Sequence, residues 1–363
     1  MKIALIADTH FGVRNDLAPF YDSMASFYKN TFFPEIDRRG IKHILHLGDI
    51  LDRRKYVNFQ TLQLTREMFF NPMRERGMEM VVIVGNHDVY YKTTNRLNSP
   101  DLLTCGEYNV KLYDEPCETN IFGMNAVVLP WINQENYEAS MRLIKSAPGH
   151  KPVFGHLSIT GFHMHRNSVC DHGLDPKLFQ RFDHVFTGHF HHQSLTGGVH
   201  YVGAPYEMIW ADYDDPRGFH ILDTETLEVE FIQNPDRMFY KVRYDDSTDV
   251  PGRSKPGPDI EPSPEWKDKF IKIIVIRKKD PYAFDQFMDS VVASQPHDYT
   301  LVEDETLDID RIMEGKEETL LIDDTPTVLN AYVEAINLEV NKPALKRLML
   351  ELYTEAVSAT GRD

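Results

Sequence analysis

The sequence predicts an α/β fold, and three observations carry the prediction. Short, nearly continuous aliphatic runs alternate with longer stretches of helical periodicity. The runs have the composition of strands buried on both faces. Each run also passes directly into a polar residue able to bind a metal, often just after a glycine. Open α/β folds keep their chemistry at such carboxyl ends.

The elements follow in order. Lys2-Ile3-Ala4-Leu5-Ile6-Ala7 reads as the first strand and ends in Asp8-Thr9-His10. Residues 17–39 read as a helix, with Phe20, Met24, Phe27 and Tyr28 on one stripe and Gly40 as its stop. Ile41 to Leu47 is the next strand, leading to Gly48-Asp49, and a second helix over 59–76 stops at Gly77. Met80 to Val84 ends in Gly85-Asn86-His87-Asp88, and Pro152-Val153-Phe154 ends in Gly155-His156. The run Val185-Phe186-Thr187 enters Gly188-His189-Phe190-His191, and Tyr201-Val202-Gly203-Ala204-Pro205 follows. On a strand or just past its end, the alternate spacing of His189 and His191 puts both imidazoles on one side.

Five distant segments therefore deliver Asp8, His10, Asp49, Asn86, His87, His156, His189 and His191 to one rim. Two carboxylates, one amide oxygen and four imidazoles suffice for two divalent cations if Asp49 bridges them. Oxygen and nitrogen donors without thiolate suit manganese first, with magnesium, iron or zinc as alternatives, and calcium poorly. Paired cations of this kind serve phosphoester hydrolysis. His87 needs no metal of its own and is placed to protonate a leaving oxygen as general acid. The remaining histidines, from His43 and His46 to His297, are read as non-ligands.

Composition limits the remaining possibilities. The 363 residues have 42% hydrophobic content, enough for a large packed domain with a smaller one beside it. Three widely spaced cysteines, Cys105, Cys117 and Cys170, form no disulfide framework and fit a reducing compartment. The N-terminus lacks a signal pattern and no apolar run is long enough to cross a membrane, so a cytoplasmic protein is expected. A net charge of −17 argues against indiscriminate nucleic-acid binding, yet residues 298–324 alone hold 11 acids against 2 bases. Basic clusters persist at Arg53-Arg54-Lys55 and at Lys267, Lys269, Lys272, Arg277, Lys278 and Lys279.

The order D-x-H, G-D, G-N-H-D, G-H, G-H-x-H over residues 1–210 resembles the calcineurin-like metallophosphoesterase superfamily. The resemblance implies a β-sandwich flanked by helices. It implies one cation held by Asp8, His10, Asp49 and His191, and another by Asp49, Asn86, His156 and His189. Within that superfamily, Ile6-Ala7-Asp8-Thr9-His10-Phe11-Gly12 and the position of the two helices are similar to the SbcD-type DNA repair nucleases. More narrowly, Met1 to Arg54 and the overall size are similar to the T-even bacteriophage branch of that family. This implies a manganese-dependent nuclease that processes double-strand DNA ends in the host cytoplasm. It would act as a homodimer with an SbcC-type ABC ATPase that carries a coiled coil.

That family often carries histidine where this chain has Asp52. Gly48-Asp49-Ile50-Leu51-Asp52-Arg53 echoes instead the G-D-x-x-D-R of protein phosphatases. A phosphoprotein phosphatase or small phosphodiesterase is therefore the alternative function, and a catalytically inert binding scaffold is a further one. Arg14, Asp52, Arg53 and Arg54 are expected at the substrate.

Residues 1–235 would form the nuclease domain and 236–310 a small α+β capping domain. That unit is read from Met238 to Tyr244, a Pro/Gly/Ser-rich loop over 245–264, Phe270 to Ile276, a helix over 282–294 and Tyr299 to Val302. The basic residues of 267–279 would face phosphates, without reading sequence. An acidic linker, 311–325, precedes a helical tail, 326–363. In that tail Leu345, Leu348, Met349, Leu352 and Tyr353 form an apolar face expected to dock on the ATPase coiled coil.

Overall fold

The structure is a computed structural model that describes residues 1–104, 106–166, 168–247, 256–302, 333, 342 and 345–349. The first aliphatic run forms β1 (Lys2–Ile6), and β2 (His43–His46), β3 (Glu79–Ile83) and β4 (Val110–Tyr113) line up parallel to it in turn. Ile6 pairs with His46, and His46 with Val82, so three strands end level. That register brings Asp8, Asp49 and Asn86 to one edge.

A second sheet contains β5 (Cys117–Ile121), β6 (Met124–Leu129), β7 (Val153–His156), β10 (Val185–Gly188), β11 (Ser194–Thr196) and β12 (Val199–Tyr201). A separate small hairpin, β8 (His163–His165) with β9 (Ser168–Val169), lies between β7 and β10 in sequence. The second sheet has the order β11-β12-β10-β7-β6-β5, with Gly188 opposite His156. The first sheet is completed by β13 (Gly218–Asp223) and β14 (Val229–Gln233), giving the order β14-β13-β1-β2-β3-β4.

The period of two along each strand explains why the aliphatic runs are continuous. Ile3, Leu5 and Ala7 point between the sheets to meet Val128, Phe154 and Phe186. Ala4 and Ile6 point outward to Met24, Phe27, Phe32 and Phe69 of the covering helices. The outer face of the second sheet is covered in turn by helix Tyr137–Ser146, through Met141 and Ile144.

Both long helices predicted from the sequence are present, each with a wide turn in its middle. Helix Ala18–Phe27 passes through a π segment, Tyr28–Phe32, into Phe33–Arg39, where Gly40 closes it in the left-handed conformation. Helix Phe59–Thr65 passes through Arg66–Phe70 into Asn71–Glu75. The two π segments meet through Tyr28 and Phe69, with ring centres 5.0 Å apart, so the irregular turns coincide with a helix–helix contact.

Beyond residue 238 the chain forms a separate four-stranded sheet from β15 (Phe239–Asp245), β16 (Gly257–Pro258), β17 (Phe270–Arg277) and β18 (Asp298–Val302). Helix Pro281–Ala293 is capped by the Asp280 carboxylate and covers it, burying Phe284, Phe287 and Val291 on Val242 and Ile273. Phe239 and Phe270 seat this sheet on Phe20, with ring centres 6.2 and 5.4 Å away.

One expectation needs correction here. Lys272 does not face outward toward phosphates. It is 3% exposed, with its ammonium 4.4 Å above the Trp210 ring. The alternation of β17 turns it inward, where the aromatic face offsets part of the cost of burial.

The chain divides into two units, Met1–Leu301 and Val302–Asp363. Of the second, residues 345–349 are helical, Val333 is buried and Leu348 is exposed. No helix among the described residues is long and apolar enough to cross a membrane.

Candidate metal centre

All eight residues predicted at the rim converge beyond the carboxyl ends of β1, β2, β3, β7 and β10. The chain bends sharply to do this. Asp8, His10, Asp49 and His189 adopt positive φ angles of 53°, 40°, 58° and 91°, a region side chains seldom occupy. Such strain persists only where surrounding structure enforces it, and it clusters at functional sites. The preceding glycines are required by space. A Cβ on Gly85 would lie 2.2 Å from Asp49 Oδ1, and one on Gly48 would lie 2.5 Å from His156 Nδ1.

The donor atoms form two lobes joined at Asp49. In the first lobe, His10 Nε2 and His191 Nε2 are 3.3 Å apart beside Asp8. In the second, Asn86 Oδ1 lies 2.9 Å from His156 Nε2 and 2.8 Å from His189 Nδ1. Asp49 Oδ2 stands between, 3.7 Å from His10 Nε2 and 3.3 Å from His156 Nε2. Its other oxygen accepts the His87 backbone N–H at 2.7 Å. The triads Asp8–His10–His191 and Asp49–His156–His189 each offer ligand atoms within 4.8 Å of one another. A further triad joins His10, Asp49 and His87.

These side chains fit divalent cations. His156 Nδ1–H donates to the Leu47 carbonyl at 2.7 Å, which fixes the tautomer and leaves Nε2 for the pocket. Burial alone would lower the His156 pKa, but the Asp49 carboxylate raises it to about 9, so a proton stands where a cation would bind. Burial would raise the Asp49 carboxyl, yet His156 and His87 hold it well below the ordinary carboxylate range. Burial keeps His10 and His189 neutral and takes His191 down to about 3. The neutral imidazoles of His10, His189 and His191 beside the ionised Asp49 are in the protonation states a cation needs, and binding at His156 would displace its proton.

Several supporting residues were not anticipated from sequence. Asp88 gathers the backbone N–H groups of Gly85, Asp49 and Ile50 at 2.8, 2.8 and 2.9 Å, which locks two motifs together. Its only sequence signal is its place after Gly85-Asn86-His87. His46 accepts from the Gly48 N–H and contacts Thr9 Oγ1, and it stays outside the pocket as expected. Behind His191, Arg217 donates to its carbonyl and to the carboxylates of Asp212 and Asp215, at 2.7 and 2.9 Å. All three side chains are buried. Burial would raise the Asp212 carboxyl, but Arg217 holds it well below the usual carboxylate range. Nothing in the local sequence singles out Arg217. Trp131 completes the rim of the second lobe, its ring centre 5.2 Å from that of His189.

His87 stands edge-on to His10, with ring centres 4.8 Å apart, and its Nδ1–H donates to the Asp52 carbonyl at 2.6 Å. The Asp52 carboxylate turns toward His10 Nδ1, 3.6 Å away, and burial raises its pKa. Arg14 donates to the Met208 carbonyl at 3.1 Å. Arg53 is committed to Asp16 Oδ2 at 2.7 Å and to Asn15 Oδ1 at 3.2 Å. Arg54 is half-buried near Asp49, and burial lowers its pKa against the pull of that carboxylate. Leu345, Leu348 and Met349 lie in the described helical stretch, whereas Leu352, Tyr353 and the 311–325 linker fall outside the described residues.

Residues 1–193 match the family described as calcineurin-like phosphoesterase. The chain is 29% identical over 360 residues to exonuclease subunit 1 of Enterobacteria phage T4, covering 98% of this chain and 99% of that protein. A solved archaeal phosphodiesterase, 14% identical, covers 64% of this chain and 100% of its own with a TM-score of 0.33.

Proposed function

Because this chain belongs to the calcineurin-like phosphoesterase family, we propose that it is a manganese-dependent nuclease subunit that trims double-strand DNA ends. The observation that carries the reading is the pair of donor lobes sharing Asp49, in a chain similar over nearly its full length to a phage exonuclease subunit. Asp8, His10, Asp49 and His191 would hold one cation, and Asp49, Asn86, His156 and His189 the other. Bound there, paired divalent cations supply Lewis acidity and lower the pKa of water beside a phosphodiester.

The chain's own residues do the rest. Asp88 and the Gly85 turn hold Asp49 between the lobes. His87, with Nδ1–H fixed on the Asp52 carbonyl, presents Nε2 as the proton donor to the leaving oxygen. The Asp52 carboxylate, 3.6 Å from His10 Nδ1, places negative charge behind that imidazole. Arg14 and Arg54 are the basic groups proposed to meet the DNA backbone. Arg53 is paired with Asp16, which weighs against the phosphatase alternative in which that arginine grips phosphate.

Assembly is part of the same proposal. Exposed Tyr56 and Leu102 border a cavity of about 150 Å³, and exposed Phe59 begins helix Phe59–Thr65, apolar surface suited to a second copy of the chain. The apolar positions from Leu345 to Tyr353 are proposed to dock on the coiled coil of an SbcC-type ABC ATPase. The boundaries 1–235, 236–310, 311–325 and 326–363 belong to this reading too.

The test is hydrolysis of linear duplex DNA with manganese, native protein against His87→Ala, alongside bis-p-nitrophenyl phosphate and p-nitrophenyl phosphate. The nuclease reading expects DNA degradation by the native protein. It expects a loss of about 100-fold or more in the variant, with manganese still bound. Cleavage of the monoester alone would replace it with the phosphatase reading.

A further inference from the structure

We propose that Trp131 is a base-stacking wall of the substrate cleft, on which a nucleobase of an unpaired strand end lies beside the second cation lobe. The inference rests on the nuclease reading and adds to it a contact that tells single-stranded ends from continuous duplex.

Three observations carry it. The first is position. Pro130-Trp131 follow β6, and the indole stands 5.2 Å from the His189 ring at 44° and 6.2 Å from the His156 ring at 72°. The ring therefore borders the second lobe. The second is incomplete burial. Trp131 is only half-buried and belongs to none of the apolar clusters that hold the sheets together, whereas Trp266 is fully buried in its own core. An indole kept out of the core keeps an apolar face available for a partner.

The third is rigidity. The Trp131 backbone N–H donates to the Val84 carbonyl at 2.8 Å, and its backbone carbonyl accepts from Asn95 at 2.9 Å and from Asn136 at 3.0 Å. Asn133 in turn donates to Asn95 Oδ1 at 2.8 Å. Asn95, Asn133 and Asn136 are 3%, 8% and 3% exposed, so a buried amide network fixes the backbone of a single rim residue. A residue whose backbone is already fixed loses less entropy when a base stacks on its side chain. Such stacking tolerates every base, because each has a π-face.

The probes are an oligodeoxythymidylate and an abasic strand of equal length, titrated against the full chain with intrinsic fluorescence as the readout. The thymidylate strand is expected to quench the native protein's emission. Trp131→Phe removes the quench but keeps the affinity, because the phenyl ring still stacks. Native protein binds the abasic strand about tenfold more weakly, and Trp131→Ala binds both strands equally. Cation content stays unchanged in both variants. A quench that persists in Trp131→Phe, or base discrimination that survives in Trp131→Ala, overturns the proposal. Cations lost from either variant would also overturn it, by making Trp131 a support for His189. An altered oligomeric state with base discrimination intact would do so in favour of a protein contact. If the native protein degrades duplex DNA yet does not distinguish the two strands, only the stacking wall falls. If it neither cleaves nor binds DNA, the nuclease reading falls with it.

Discussion

The two lobes of the metal centre offer similar atoms to a cation and are held from behind in different ways. The first lobe, Asp8, His10 and His191, is backed by charge. Arg217, Asp212 and Asp215 form a buried ion network on the His191 carbonyl, and Asp52 stands behind His10. The second lobe, Asn86, His156 and His189, is backed by the main chain, through the Leu47 carbonyl that holds His156. A ligand held by buried charges depends on every charge being paired, since removing one partner strands the others. A ligand held by a backbone carbonyl has no side chain behind it to lose. The lobes should therefore fail under different substitutions.

The largest effect is expected where the lobes join. Gly85→Ala drives a methyl into Asp49 Oδ1 and N, at 2.2 and 2.5 Å, displacing the carboxylate both lobes share. Hydrolysis should fall by at least about 100-fold with the loss of both cations and an unchanged circular dichroism spectrum. Rate and metal content, measured together, check this. Retention of one cation would show that the lobes are independent.

Arg217→Met comes next. It removes the guanidinium from two buried carboxylates, leaving Asp215 only His192 and Asp212 the Met208 and Ile209 N–H groups with His165 nearby. The loss costs about 3 kcal/mol in urea unfolding. The first-lobe cation should weaken while the second holds, and equal weakening would break the comparison. Because Arg217 depresses the Asp212 carboxyl, this stabilisation is present above the unfolded value of about 3.9. It drains away as pH falls from there through the folded value. The variant should lack that acid-side loss.

The smallest of the three is Asp88→Asn. A single amide oxygen cannot serve three N–H donors as the carboxylate does, so cation affinity should drop about 10–100-fold, measurable by calorimetry. A loss confined to one lobe would mean that Asp88 supports that lobe alone.

Much of this was legible in the sequence, for identifiable reasons. Strands covered on both faces must be continuously aliphatic, so β1, β2, β3, β7 and β10 announced themselves, and their polar ends named the ligands. Residues 110–147 and 218–233 gave no comparable signal. β5 alternates between half-buried and exposed residues at a sheet edge, where burial demands little of composition. Yet β4, β5, β6, β13 and β14 complete the sandwich.

What the sequence determined by itself is the inventory and its order: which side chains could bind cations, and that each follows a strand. That information is local, because strand composition and the residue after it are neighbours in the chain. What only the tertiary structure decided is how those residues are held and what stands beside them. The left-handed backbone at Asp8, His10, Asp49 and His189, the pairing of Arg217 with a carbonyl 26 residues away, and the indole beside His189 all depend on contacts between distant segments. Local sequence carries no mark of such contacts, because each partner is chemically ordinary until folding removes its water.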